Sequence, residues 1–307
     1  MQNLKEEIKL NAYQDTYPNI YGYKWINYNL NHKSVILIVH GMSEHANRYD
    51  ELGKILAENG FIVYGFDLIG HGKSCFENLG VGVIPNNDFC NEIIKCVNQI
   101  YHYIKQSHKE HEINLFAHSM GSMIMQRYIE LYPNHFSKVI LSGTDLGGVK
   151  YKMLNTITKR IIKKQGINTY SKLVNKLTLD GFNSKFKKEQ VPLGWLSENE
   201  DNRIQYLNDP YCNHQYTASY YYSLSKLLVE AIKKNNLNKI SVQKILLISG
   251  KSDPVTSFSK AVKRLSKKYS KVNVNSSFII IDDARHEWHN EIRKIEYFEK
   301  YVIPFYN

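Results

Sequence analysis

The chain has 307 residues, 43% hydrophobic and 22% charged. That apolar content excludes global disorder, and the length suits one large domain or two modest ones. No apolar run exceeds the five residues Val35 to Val39, well short of the roughly 18 that span a bilayer. The net charge of +11 raises an acidic partner, either nucleic acid or an anionic membrane surface, without choosing one.

Four cysteines, Cys75, Cys90, Cys96 and Cys212, form no CxxC pair and no disulfide scaffold. The opening MQNLKEEIKLNAY has no apolar signal region, so a cytosolic protein is expected.

In chain order, Ile8–Ala12 and Ile20–Ile26 mix polar and apolar residues and read as an edge hairpin. Val35–Val39 and Phe61–Phe66 are continuous apolar runs, as in strands buried on both faces of a parallel sheet. Between them Arg48–Asn59 reads as a helix ended by Gly60. Asp88–Ser107 sets Phe89, Ile93, Val97, Ile100 and Ile104 on one helical stripe, with Asn87 or Asp88 as cap. Strand Ile113–Ala117, helix Met120–Tyr132 (stopped by Pro133) and strand Lys138–Ser142 follow.

From about Asp145 to Glu230 the pattern is helical or irregular, with no strong strand. Alternation then resumes with strand Ile245–Ser249, helix Ser257–Ser270, strand Ser277–Ile281 and helix Asn290–Tyr301. Strands alternating with helices predict an α/β fold with a mostly parallel sheet. The expected division is a body of residues 1–144 and 231–307, with 145–230 as an inserted helical lid.

Strand Ile113–Ala117 runs into His118-Ser119-Met120-Gly121 and then a helix. A serine in so sharp a turn needs small residues two places to either side, here Ala117 and Gly121; this is the nucleophile elbow. The pattern alone also fits a serine capping a core helix. A serine nucleophile needs a base, and the base needs an orienting carboxylate, in the chain order Ser, acid, His. Asp253 follows the strand ending at Ser249, and His286 follows the strand ending at Ile281. Each lies where functional residues of open α/β sheets gather. Of 12 histidines, His289 is the nearest rival to His286.

Acyl transfer also needs oxyanion donors. The N–H of Met120 directly follows the serine, and the loop His40-Gly41-Met42 offers the N–H of Met42. His40, His45 and His71 match no metal spacing and have no carboxylate–histidine cluster in the sequence, so no metal and no cofactor is expected.

HGMSEHANRY (40–49), FDLIGHGKS (66–74), AHSMGS (117–122), GKSDP (250–254) and ARHE (284–287) resemble the monoglyceride lipase and lysophospholipase group of α/β-hydrolases, which is also filed with serine aminopeptidases. Trp195-Leu-Ser197 and Asp209-Pro-Tyr-Cys212 are similar to the cap of bacterial lysophospholipase-type members. The resemblance implies an α/β-hydrolase fold with Ser119 as nucleophile, Asp253 as acid and His286 as base. It implies Met42 and Met120 as the oxyanion hole. It also implies that Glu44 and Arg48 brace the oxyanion loop, and that Asp67, Gly70, His71 and Gly72 form a structural loop. Ala117 departs from the more usual glycine of the group.

Residues 145–188 carry 11 Lys or Arg against two Asp, most of the chain's excess. Met153, Leu154, Ile157, Ile161 and Ile162 fall on one helical face, with Lys159, Arg160, Lys163 and Lys164 towards the other. Such a helix suits an anionic lipid surface, and equally a helix packed on the body with its basic side solvated. The tyrosines between Tyr216 and Tyr222 suit an acyl pocket or the junction of lid and body. No nucleic-acid motif accompanies the charge, and nothing in the sequence signals an oligomeric state.

The expected function is a serine carboxylic-ester hydrolase, cytoplasmic or membrane-peripheral, acting on a small lipid ester: a monoacylglycerol or lysophospholipid. A proline-iminopeptidase-type enzyme is the alternative. It would hold a free amine on acidic lid residues, with Glu198, Glu200 and Asp201 as candidates. A non-catalytic ligand-binding homologue is the other.

Overall fold

Six of the eight strands run parallel in a single sheet ordered β1-β2-β4-β3-β5-β6-β7-β8, and β1 and β2 join its edge antiparallel. The structure is a computed structural model that describes residues 4–12, 14–86 and 88–307, with backbone alone for Leu179 and Asp180. The strands are β1 Lys5–Leu10, β2 Ile20–Trp25, β3 Ser34–Val39, β4 Phe61–Phe66, β5 Ile113–His118, β6 Lys138–Ser142, β7 Lys244–Gly250 and β8 Ser276–Ile281. This is the α/β-hydrolase architecture, and each expected strand is present.

The apolar runs serve two cores. Side chains alternate across a strand, so Val35, Leu37 and Val39 enter one cluster while Ile36 and Ile38 enter the other. Helices α2 (Phe89–Ser107) and α3 (Ser119–Leu131) cover the first face. Helix α1 (Asp50–Glu58) and the C-terminal segment cover the second. Each buried Val or Ile contributes about 1.5–3 kcal/mol relative to exposure, so continuous apolar strands demand both covers.

The order β4-β3-β5 places a topological switch between β3 and β5, where the chain first turns to one side and then to the other. Clefts of open α/β sheets form at such a point. Val39 pairs with Ala117, His118 with Ser142 and Gly250 with Ile281. The carboxyl ends of β3, β5, β6, β7 and β8 therefore lie side by side.

Between β6 and β7 come α4 (Val149–Gln165), α5 (Lys172–Leu177), α6 (Leu179–Phe182), α7 (Glu200–Asn208), α8 (Ala218–Ala231) and α9 (Lys234–Leu237). Helix α8 belongs to the main core: Tyr220 and Leu228 are fully buried, and the Tyr220 ring meets Phe89 edge-on at 4.7 Å. Helix α4 packs Tyr151, Leu154 and Thr158 inward, while Lys159, Arg160, Lys163 and Lys164 stay exposed.

Several local expectations are corrected by tertiary contacts. The side chain of Asp88 does not cap α2; the N–H of Cys90 donates instead to Ser223 Oγ of α8 at 2.9 Å. Asn87 lies outside the described residues. The helix expected from Ser257 begins at Lys260, as α10 (Lys260–Ser270), because Ser257, Phe258 and Ser259 all have positive φ. Strand β8 ends the sheet, so its apolar run is half-exposed, with Phe278 43% exposed, and is not covered on both faces. The last expected helix is split into α11 (Lys294–Tyr297), a π turn at Phe298–Val302 and α12 (Ile303–Tyr306). There Pro304, which has no N–H to donate to the preceding turn, stands just after the π turn, at the junction with α12.

Candidate active site

Ser119 opens α3 with φ at +51°, a strained conformation for a residue with a Cβ. The turn closes only because Gly121 lacks a side chain: a Cβ there would sit 2.3 Å from the His40 carbonyl oxygen. Ala117 is fully buried at the end of β5, so the substitution for glycine leaves the turn intact.

The three residues expected from three strand ends meet. His286 Nε2 lies 2.8 Å from Ser119 Oγ, and its Nδ1 lies 3.0 Å from Asp253 Oδ2. Asp253 is fully buried, and its other oxygen accepts the Val255 N–H at 2.8 Å. Burial disfavours the imidazolium of His286, but the Asp253 carboxylate outweighs it and raises the pKa above the usual histidine value. The hydroxyl, the imidazole and the buried carboxylate thereby form one hydrogen-bonded line, a geometry that can pass a proton.

His286 also has neighbours the sequence reading did not assign. The His118 ring lies 4.7 Å away, centroid to centroid, and the Trp195 ring 5.2 Å away. Ser142 Oγ pairs with His118 Nδ1 at 2.9 Å and accepts Trp288 Nε1–H at 2.8 Å. Burial, then the nearby His289 and His286, keeps His118 well below its usual pKa, hence neutral. Gly143, at φ +56°, leaves room for both imidazoles; a Cβ would lie 2.9 Å from His286 Cε1. The histidine before the serine was the one signal available for this layer.

Met42 and Met120 both line the cavity beside Ser119. Met120 sits in the first turn of α3, where N–H groups have no intrahelical acceptor. The loop after β3 touches the serine: a Cβ on Gly41 would be 3.0 Å from Ser119 Cβ. Glu44 fixes that loop by accepting the Gly41 N–H at 2.5 Å, the Tyr49 hydroxyl at 2.9 Å and Arg48 Nη1 at 3.0 Å. Arg48 then makes a two-pronged contact with Glu287 at 2.7 and 2.8 Å, and Asn202 completes the group. Burial opposes ionisation of Glu287, yet the Arg48 guanidinium prevails and holds its carboxyl far below the usual range. Glu287 was missed as Arg48's partner because 239 residues separate the two.

Asp67 serves its loop by accepting the N–H groups of Ala46 and Lys73 at 2.9 and 2.8 Å. His40 Nε2 accepts the Leu68 N–H at 2.9 Å, and burial keeps the ring neutral. The expectation that no carboxylate–histidine cluster exists needs correction. His45 Nε2 lies 2.8 Å from Asp209 Oδ2, and Cys212 Sγ is within 4.8 Å of both. That donor set suits a borderline-soft divalent ion. The Arg48 charge acts on both Asp209 and Cys212 and opposes a cation there.

A cavity of about 850 Å³ opens over Ser119 and His286. Met153, Leu154, Ile157, Phe182 and Leu193 give it apolar walls, and Asn213, His214 and Gln215 a polar patch. Of the tyrosines, Tyr221 lines the cavity, while Tyr216 is buried at the junction and accepts the Ser43 N–H at 2.8 Å. Glu198, Glu200 and Asp201 do not line it. Glu198 lies 3.7 Å from Arg285, Glu200 pairs with Arg203, and Asp201 faces a separate polar cleft.

Residues 31–293 match the family described as serine aminopeptidase, S33. A monoglyceride lipase homolog of Monkeypox virus is 25% identical over 268 residues, covering 86% of this chain and 85% of that protein. The monoglyceride lipase of Rattus norvegicus is 30% identical over 139 residues, covering 42% of this chain and 44% of that protein. Among solved structures, a thermostable carboxyl esterase from Bacillus coagulans superposes with a TM-score of 0.87 at 21% identity, over 99% of this chain and 98% of that one. A monoacylglycerol lipase of Paleococcus ferrophilus gives 0.70 at 22% identity, over 94% and 98%.

Proposed function

The chain belongs to the serine aminopeptidase S33 family of α/β-hydrolases, and on that premise we propose that it is a serine hydrolase of carboxylic esters, with a monoacylglycerol or lysophospholipid as substrate. The observation that carries this reading is the hydrogen-bonded line Asp253–His286–Ser119 opening on an apolar cavity. His286 takes the proton of Ser119 as the oxygen attacks the ester carbonyl. The N–H groups of Met42 and Met120 receive the oxyanion, and Asp253 stabilises the imidazolium. His286 gives the proton to the departing alcohol, leaving an acyl-enzyme. Water then attacks with His286 as base, and the acid is released.

The cavity supports the lipid assignment. An acyl chain has Met153, Leu154, Ile157 and Phe182 beside it, and a hydroxylated head has Asn213, His214 and Gln215. A peptidase holding a free ammonium would need an unpaired carboxylate in the cavity. Among the described residues, the carboxylates that line it, Glu44 and Glu287, are both engaged with Arg48.

Residues 145–230 act in this reading as a lid that receives substrate from a lipid surface. The inner apolar face of α4 is divided between α8 and the cavity. What remains for an anionic membrane is the cationic side together with the exposed Met153, Leu173 and Leu177.

Purified protein and Ser119→Ala are compared on esters of graded chain length, a monoacylglycerol, a lysophospholipid and a prolyl amide. Ester turnover lost in Ser119→Ala is expected; absence of Ser119-dependent turnover on every ester defeats the reading, and faster prolyl-amide cleavage favours a peptidase. His286 must be neutral to accept a proton. Since its pKa is raised, kcat/KM is expected to rise with pH through a value above the usual histidine range. A flat profile from pH 5 to 8 would contradict this.

A further inference from the structure

The chain between α6 and α7 lies along the loop that carries His286. The Trp195 carbonyl accepts the His286 N–H at 3.3 Å, and the Leu196 carbonyl accepts the Glu287 N–H at 2.6 Å. Glu291, itself buried, ties the same two segments with one carboxylate. Its Oε2 accepts the Ser197 hydroxyl at 2.7 Å and the Glu198 and Asn199 N–H groups at 2.8 and 3.3 Å. Its Oε1 accepts the Arg285 N–H at 3.0 Å.

The contact extends to the ring of the base. Its two hydrogen bonds, to Asp253 and Ser119, leave through Nδ1 and Nε2. They hold the two nitrogens, and because the terminal torsion of histidine is intrinsically broad, the tilt of the ring is set jointly by these bonds and by what packs on its faces. Rotation is opposed by flat neighbours, and Trp195 is one of them, 5.2 Å away with its plane at 39°. Trp195 in turn packs on Phe182 at 5.2 Å, and both line the cavity. A line of neighbouring rings thus runs from Phe182, inside the basic segment, through Trp195 to the imidazole.

We propose that residues 194–199 are a positioning strap for the catalytic base, with Trp195 seating the His286 ring and Glu291 anchoring the strap to its loop. This rests on the reading of His286 as the base. Trp195 acts through His286 and does not touch the reacting atoms. A flat apolar surface is the required property, so phenylalanine should substitute and leucine should not.

The test uses the full chain and a short water-soluble ester, p-nitrophenyl acetate, whose acyl group is too small to need the cavity walls. Trp195→Leu keeps apolar bulk and removes the plane, Trp195→Phe keeps a plane, and Glu291→Gln weakens the anchor from outside the cavity. Trp195→Leu is expected to lower kcat about tenfold to a hundredfold, the scale of an ångström-sized misplacement, with KM within about twofold. The rate at which a fluorophosphonate labels Ser119 should fall in parallel. Trp195→Phe should restore most of both rates, and Glu291→Gln should reproduce part of the loss. Wild-type kcat and labelling in Trp195→Leu, or no rescue by Trp195→Phe, would overturn the strap. No Ser119-dependent turnover in the wild type would instead overturn the proposed function.

Discussion

Between β6 and β7 the chain makes two kinds of cover. Residues 149–193 touch the rest through the inner face of α4, the buried Val174 and the ion pairs of Glu189, and leave Val149, Met153, Leu173 and Leu177 exposed beside solvated lysines. Residues 194–231 are tied down. They hydrogen-bond to the His286 loop and to Ser43, and they send Tyr220 and Leu228 into the main core. The difference follows from charge. A cation is buried only with partners; Arg203 of the second stretch has Glu200 and the Ser197 carbonyl from its own stretch and Glu189 from the end of the first. The span 145–188 has 11 cations and two aspartates, too few anions to bring its charges inside.

The largest break in this contrast should come from Arg48→Ala. It strands two buried glutamates and cuts the link to Asn202 of the tied stretch. A loss of about 3–5 kcal/mol is expected, read as a lower urea midpoint. Leu228→Ala should cost about 2–5 kcal/mol by the same measurement, as a cavity in the main core; a loss under 1 kcal/mol would show that α8 is not part of that core.

Changing Lys159, Arg160, Lys163 and Lys164 together to Gln should do the reverse. Binding to anionic vesicles should weaken by up to about 1 kcal/mol per residue, while the urea midpoint barely moves. Unaltered vesicle binding would remove the lipid-surface role from this stretch. The smallest effect is expected for Leu173→Ser and Leu177→Ser, exposed positions where stability should change by about 0.5 kcal/mol or less. A drop of 2 kcal/mol there would mean the first stretch is tied as firmly as the second.

The strands, and the three residues at their ends, were legible because their signals are local. A run such as Val35–Val39 announces a buried strand, and Ser119, Asp253 and His286 each lie within a few residues past the end of a strand. Helix ends were less legible. Cys90 takes its acceptor from Ser223, 133 residues away, and three successive positive φ values delay α10; neither leaves a periodic trace.

The sequence by itself therefore determined the sheet, the order in which serine, acid and histidine arrive, and where the positive charge sits. These follow from composition and from spacing along the chain. Only the tertiary structure decided that Glu287 completes the Arg48 cluster, that His118 and Trp195 pack against His286, and that α4 divides its apolar residues between α8 and the cavity. Each is a contact between distant segments, set by which strand ends the sheet order brings together and which side chains then fill the space between them.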